Sequence, residues 1–401
     1  MNNWGIFKRG INMKRQKWLV LIVCIAYILS LTAPVIAADD KTEENRIKID
    51  IKAESAILMD ANTGQILYSF NENKKWYPAS MTKLMTLIVA IEAVKNGQAS
   101  FEDEVVTSEN AASYGGSQLY LEPGEKFSLW EMLTAVIIAS ANDASVAVAE
   151  HIAGSEEAFV DLMNKKAKEI GCQNTHFVNS HGLHDDNHYT TALDMAKIAR
   201  YSLKFPETLK LTSLKYHKFR DEPKTERYSL NKLLWWYPGA DGFKTGTTSI
   251  AKRNLVSTCK RDGLRLIAVV MGAEERRGHF TETMKLLNTG YRMYAFKEFY
   301  SANYEIGEVA VGKGSLDTVK VITGDTVGLT ILKGREKGYE TKVVLPSLIQ
   351  APISKGQPVG EVIVMKDDKE IKRFPVVTAE KVEKGSIFRM IGKVLKSVYA
   401  L

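Results

Sequence analysis

Pro78-Ala79-Ser80-Met81-Thr82-Lys83-Leu84-Met85-Thr86-Leu87-Ile88-Val89-Ala90-Ile91 sets Met81, Leu84, Met85, Ile88 and Ile91 at helical spacing behind a Pro-Ala break. The charged residue in that run, Lys83, follows Ser80 by three positions, so the two side chains share a helix face. Outward from this helix the pattern changes on both sides. Upstream, residues 56–60 and 66–70 read as short strands joined by the turn Ala61-Asn62-Thr63-Gly64-Gln65. Downstream, helical segments fit residues 129–139, 143–151, 156–170 ahead of Gly171, and 192–204. The period then shifts. Residues 254–259 and 264–271 read as strands about Lys260-Arg261-Asp262-Gly263, whose Asp-Gly pair signals a hairpin, and a last helix runs through Met284, Leu287 and Tyr291. Helices enclosed between an early and a late hairpin predict one α+β domain over roughly residues 45–298, its sheet closed by both ends of the segment.

From about residue 299 the chain turns to short strand-like segments at 309–311, 318–322, 327–332, 341–345, 361–365 and 374–377. Gly324-Asp325 and Asp367-Asp368 punctuate them, which predicts a small all-β domain over residues 299–382. Residues 385–401 then place Ile387, Ile391, Val394, Leu395 and Val398 on one face, with Arg389, Lys393 and Lys396 on the other. A basic amphipathic helix of this kind either docks on its own domain or lies on a membrane surface. Its terminal position and the export signal at the other end favour a membrane-anchoring helix.

That signal is Lys8, Arg9, Lys14, Arg15 and Lys17 ahead of an apolar run over residues 18–31, followed by Pro34 and the small residues Ala37 and Ala38. The run is shorter than the roughly 20 residues a spanning helix needs, so residues 1–38 read as a cleaved signal peptide, with Met13 as a second possible start. Removing them takes five basic and no acidic residues. The 54 Lys plus Arg against 47 Asp plus Glu become 49 against 47, and the net charge of +7 falls to +2. With no basic stripe left, nucleic acid is not an expected partner. The 401 residues, 45% hydrophobic and 25% charged, exclude a disordered or polytopic membrane chain and leave room for two domains. Cys24 leaves with the signal, and Val23 ahead of it argues against lipid modification. Cys172 and Cys259 remain, open to one disulfide or to two buried thiols.

Three short motifs occur in order: Ser80-Met81-Thr82-Lys83, Ser140-Ala141-Asn142 and Lys244-Thr245-Gly246. Each alone is weak. A hydroxyl at a helix N-terminus gains from the helix dipole as negative charge develops on it, and a desolvated Lys is a base able to take its proton, so Ser80 and Lys83 supply a nucleophile with its own base. Ser140 and Asn142 lie where an apolar helix breaks and restarts, the ordinary place for a cap. In the active-site reading, Ser140 relays a proton between Lys83 and a leaving amine, and Asn142 orients Lys83 and the substrate amide. The third motif is either a turn or a strand whose backbone pairs with an extended peptide. As a strand, it uses Lys244 to hold a substrate carboxylate, and the N–H groups of Ser80 and Thr247 form an oxyanion hole.

Ser-x-x-Lys, a Ser-x-Asn type motif and Lys-Thr-Gly are together the signature of penicillin-binding proteins and class A β-lactamases. Beyond them the chain carries Gly115-Gly116-Ser117 with Leu121-Glu122-Pro123-Gly124, Asp143-Ala144 after the second motif, and His181-Gly182-Leu183. It continues with Asp241-Gly242-Phe243 before Lys244, Thr247-Thr248 after Gly246, and Ala351-Pro352-Ile353 with Lys355-Gly356-Gln357. From about residue 50 onward it resembles the low-molecular-mass D-alanyl-D-alanine carboxypeptidases. The resemblance implies a penicillin-recognising, β-lactamase-like serine peptidase domain, a small β-rich domain and a C-terminal amphipathic membrane helix. It implies that Ser80 attacks the carbonyl between the two terminal D-alanines of a peptidoglycan stem peptide, that D-alanine leaves, and that water hydrolyses the acyl-enzyme. No cofactor or metal is implied, β-lactams are expected covalent inhibitors, and the expected location is the extracytoplasmic face of the bacterial cytoplasmic membrane. The family often carries an Arg after the second late strand that helps hold the substrate's carboxylate. Here the matching position is His279, with Arg277 two residues earlier able to reach in.

Other readings carry less. His181, His184 and His188 with Asp185 and Asp186 form a His-rich stretch whose spacing fits a loop better than a metal site. Trp235-Trp236-Tyr237 fits core packing or stacking on substrate. A β-lactamase adds a Glu in a Glu-x-x-Leu-Asn motif, whereas Glu226 precedes Leu230-Asn231 by one residue too many and lies too near Lys244. D,D-endopeptidase activity is chemically adjacent. A silent wall-binding protein is expected to have lost Ser80 or Lys83, and both are present.

Overall fold

The computed structural model describes residues 49–386. The expected signal segment, and all of the expected C-terminal helix beyond Ser386, lie outside them. The chain opens with β1 (Ser55–Asp60) and β2 (Ile66–Phe70), and a 3-10 turn (Ala79–Thr82) then runs into α1 (Lys83–Lys95). β3 (Glu104–Val106), α2 (Glu109–Ser113) and β4 (Lys126–Ser128) lead to α3 (Leu129–Ile138), α4 (Asn142–Ala153) and α5 (Glu156–Ile170). After a long loop come α6 (Ala192–Ser202), α7 (Pro206–Thr212), the hairpin of β5 (Tyr216–Arg220) and β6 (Thr225–Tyr228), and the single turn α8 (Leu233–Trp236). β7 (Ala240–Thr248), β8 (Lys252–Arg261), β9 (Leu264–Ala273) and α9 (Gly278–Met293) follow.

β9 shows why the sheet forms where it does. Its sequence is nearly unbroken apolar, the mark of a strand covered on both faces. It lies in the middle of the antiparallel order β2-β1-β9-β8-β7, so the first and last strands of the segment close one sheet. Ile267, Val269 and Met271 enter the core beneath the helices, while Leu266, Ala268 and Val270 enter a second core with Leu286 and Leu287 of α9. Each fully buried Leu, Ile or Val contributes about 1.5–3 kcal/mol. The β8–β9 turn is the two-residue Asp262-Gly263, with φ of 48° and 78°, as the Asp-Gly pair predicts.

α1 is buried on nearly every side, from Lys83 through Ile91. A helix apolar all round needs other elements on all its faces. α3 supplies part of that wall, and its start is fixed by a capping box in which the Ser128 hydroxyl accepts the Glu131 N–H and the Glu131 carboxylate accepts the Ser128 N–H.

β10 (Tyr294–Tyr300) spans the 298/299 position of the expected domain junction and pairs with β13 (Val327–Leu332). The remaining strands are β11 (Glu305–Gly312), β12 (Thr318–Thr323), β14 (Tyr339–Val344), β15 (Leu348–Gln350), β16 (Pro358–Lys366) and β17 (Lys369–Thr378). They form a sheet in the order β14-β16-β17-β12-β11-β15. Val309, Val321, Leu329, Ile331, Val362, Val364 and Val376 make its core. The fold is therefore α+β followed by a small all-β part. Cys172 and Cys259 are buried free thiols, not a disulfide. Among the described residues no helix is long and apolar enough to cross a membrane.

Candidate active site

The end of β7 passes close to the turn that opens α1. A Cβ on Gly246 would lie 2.5 Å from Pro78 O and 3.1 Å from Ser80 N, so the third residue of Lys-Thr-Gly is the one whose missing side chain permits the approach. Asn254 of β8 holds the same turn from below: its side-chain amide donates to Tyr77 O at 2.9 Å and its Oδ1 accepts the Gly272 N–H at 2.7 Å.

Ser80 is half-buried and Lys83 fully so. Lys83 Nζ lies 3.2 Å from Ser80 Oγ, and it donates to Asn142 Oδ1 at 2.7 Å and to the His181 carbonyl at 2.6 Å. Burial first, and then the charge of Lys244, hold Lys83 well below the usual lysine range, against the opposing pull of Asp143. With two N–H bonds spent on acceptors, a neutral amine has its lone pair left for the Ser80 hydroxyl.

Asn142 is oriented by its Nδ2, which donates to Gly115 O at 2.7 Å. Next to it the buried Asp143 carboxylate accepts the N–H groups of Leu119 and Leu121, each at 3.1 Å, and so clamps the loop before β4 over the site. Ser140 sits between α3 and α4 with φ of 58°, and neither helix is capped by its side chain. Its Oγ instead accepts from Lys244 Nζ at 2.9 Å, which overturns the cap reading.

Lys244 is also fully buried, and burial pushes its pKa down to about 7. Thr245 and Thr247 line a cleft of ≈ 330 Å³ together with Lys232, Trp236, Arg277 and His279. Arg277 caps α9 from a left-handed φ of 69°, and its guanidinium lies 5.3 Å from the Trp236 ring centre. His279 is buried, and its pKa is pushed down to about 4, first by burial and then by Arg253. Its Nδ1 has no hydrogen-bond partner. The aromatic run divides: Tyr237 is core, Trp236 is cleft wall.

The structure joins Ser80, Lys83, Asn142 and, through Lys244, Ser140 by hydrogen bonds, brings Gly246 against the Ser80 turn, and sets Thr245, Thr247, Arg277 and His279 around the cleft at the start of α9. Sequence reasoning missed Asn254, the Asp143 clamp and the His181 carbonyl. A buried Asn or Asp inside an apolar segment was the available signal for the first two. Among the described residues no group of three His, Cys, Asp or Glu side chains is placed to hold a metal ion.

Residues 39–275 match the family model described as D-alanyl-D-alanine carboxypeptidase, and residues 294–384 match the penicillin-binding protein 5 C-terminal domain. The chain is 39% identical over 348 residues to the D-alanyl-D-alanine carboxypeptidase DacF of Bacillus subtilis, covering 86% of this chain and 89% of that protein. Among solved structures it resembles penicillin binding protein 5 of Haemophilus influenzae, with a TM-score of 0.69 and 35% identity over 85% of this chain and 100% of that one. It also resembles PBP3 of Streptococcus pneumoniae, with a TM-score of 0.69 and 29% identity over 84% of this chain and 100% of that one.

Proposed function

The chain belongs to the D-alanyl-D-alanine carboxypeptidase family of low-molecular-mass penicillin-binding proteins, and from that premise we propose that Ser80 is its nucleophile and Lys83 the base. It is a serine peptidase that removes the terminal D-alanine from D-Ala-D-Ala ends. The observation that carries the assignment is the Lys83 amine, desolvated and with both N–H bonds engaged, 3.2 Å from Ser80 Oγ.

In this reading neutral Lys83 takes the Ser80 proton as Oγ attacks the carbonyl of the penultimate D-alanine. The oxyanion is held by the N–H groups of Ser80 and Thr247. The C–N bond breaks as Ser140 relays the proton held by Lys83 to the leaving nitrogen, which returns Lys83 to its neutral form, and free D-alanine departs. Water then attacks the Ser80 ester, with Lys83 again taking the proton and returning it to Ser80 Oγ as the ester C–O bond breaks. Protonated Lys244, Thr245 and the cleft residues Arg277 and His279 receive the substrate carboxylate, while Gly246 lets β7 lie against the turn that carries Ser80. A β-lactam follows the same path: its ring C–N bond opens as the ester to Ser80 forms. A fast β-lactamase reading lacks its base, because Glu226 sits in β6 paired with Lys224 at 2.9 Å.

Ser80→Ala is expected to abolish both D-alanine release from a stem pentapeptide and covalent penicillin labelling. Labelling that persists would place the nucleophile elsewhere. We also place the protein on the outer face of the cytoplasmic membrane, exported through residues 1–38 and anchored through residues 385–401. Deleting residues 385–401 is expected to release it from membranes, and unchanged sedimentation with membranes would refute the anchor.

A further inference from the structure

Ala79 takes a φ of 48°, a conformation that a residue with a Cβ keeps only where its surroundings hold it. Its carbonyl accepts from Thr82 Oγ1 at 2.8 Å, and Thr82 Oγ1 lies 2.7 Å from Nε2 of the buried His188. On the far side of the ring, Nδ1 accepts the Val178 N–H at 3.1 Å. That last bond orders every proton in the chain. Nδ1 is the acceptor, so the ring hydrogen is on Nε2; Nε2–H donates to Thr82, and the Thr82 hydroxyl hydrogen is left for Ala79. Burial keeps the imidazole neutral, as the chain requires, with a pKa pushed down to about 3.

The Ala79–Ser80 peptide is one plane, with the Ala79 C=O on one edge and the Ser80 N–H on the opposite edge. A bond that fixes the carbonyl therefore fixes the direction of the N–H, and it also polarises that N–H toward stronger donation. Gly182 closes the remaining freedom, because a Cβ there would lie 2.0 Å from Ala79 O.

We propose that His188 is a positioning residue for the oxyanion hole, holding the Ala79–Ser80 peptide through Thr82 so that the Ser80 N–H faces the developing negative charge. The proposal rests on Ser80 as the nucleophile. His188 touches neither substrate nor reacting atoms, so its removal slows acylation without weakening binding.

The test uses the mature full-length protein and penicillin, separating the maximal acylation rate from the apparent dissociation constant. His188→Asn is too short to reach Thr82 and is expected to lower the maximal rate roughly tenfold or more, short of the ~10²- to 10³-fold cost of losing an oxyanion donor, with the dissociation constant unchanged. His188→Gln, long enough to donate to Thr82, is expected to restore most of the rate. Thr82→Val is expected to reproduce the loss, and the double variant with His188→Asn to add nothing further. Additive losses, or a normal rate per folded molecule in His188→Asn, would overturn the proposal. If His188→Asn does not fold, a normal rate in Thr82→Val overturns it. Ser80→Ala keeps the two ideas apart: labelling that survives there removes the nucleophile assignment itself, whereas lost labelling there with a normal rate in His188→Asn removes only the role of His188.

Discussion

Between α1 and β7 the α+β part of the molecule buries Lys83, Lys244, Asp143, Asn142, Ser140, His181 and His188, while from residue 299 onward the buried polar residues among those described are Thr323, Thr330 and Thr378. The contrast is physical. A buried amine or carboxylate is costly unless bonded, and each charged group in the groove has its partners: Lys83 has Asn142 and the His181 carbonyl, Lys244 has Ser140, and Asp143 has three backbone N–H groups. The β-rich half buries valines and isoleucines instead, which cost nothing to desolvate. One region spends stability on chemistry and the other supplies none of the chemistry.

The largest way to break that contrast is to make the groove as apolar as the β-rich half. Lys83→Met removes the base and leaves Asn142 Oδ1 and the His181 carbonyl without their donor. Penicillin acylation is expected to fall by about 10²- to 10⁴-fold, the range for a positioned general base, and stability by about 1–3 kcal/mol for each buried acceptor left unpaired. Stopped-flow acylation and urea unfolding measure the two. Acylation at the normal rate would mean that another group takes the proton.

How far this groove could be read in advance follows from the same contrast. Lys83 is legible because it is a charge inside an apolar helix, and β9 because an unbroken apolar run directly after an Asp-Gly turn has few other readings. Ser140 is ambiguous, since Ser between two helices is usually a cap, and only the Lys244 contact decides it. His188 and Thr82 are 106 positions apart, and Asn254 meets Tyr77 across 177. Contacts of that span leave no period in the chain, so a loop histidine looks like any other loop histidine. The strand β10 is missed for a related reason: it follows α9 without a break residue, and its partner β13 lies beyond two further strands.

A subtler probe asks which of the two buried lysines carries the charge. Lys83 must be neutral to act, so activity appears as pH rises through its lowered pKa; Lys244 must be protonated to receive a carboxylate, so capture is lost as pH rises through about 7. A bound carboxylate favours the protonated form of Lys244 and moves that loss to higher pH. Because kcat/KM reports the free enzyme and kcat the complex, the alkaline fall is expected near pH 7 in kcat/KM and at higher pH in kcat. Lys244→Arg, whose side chain stays charged, is expected to remove it. The same fall in both profiles would show that Lys244 does not meet the carboxylate.

The smallest expected effect on activity comes from the other region, and there the two halves meet. Ile331 of β13 pairs with Ala295 of β10 and is 4% exposed, so Ile331→Ala is expected to lose about 2–5 kcal/mol locally. β10 is also where damage can cross over, because Tyr294 and Phe296 pack against the core beneath α9. That core keeps its own fully buried members, Leu58, Leu266, Val270, Leu286 and Leu287, from β1, β9 and α9. D-alanine release per folded molecule is therefore expected to be unchanged in Ile331→Ala, while the urea midpoint of the β-rich half falls. A parallel drop in kcat would mean that α9, and with it Arg277 and His279 at its start, is held in place by the β-rich half and not by the sheet it covers.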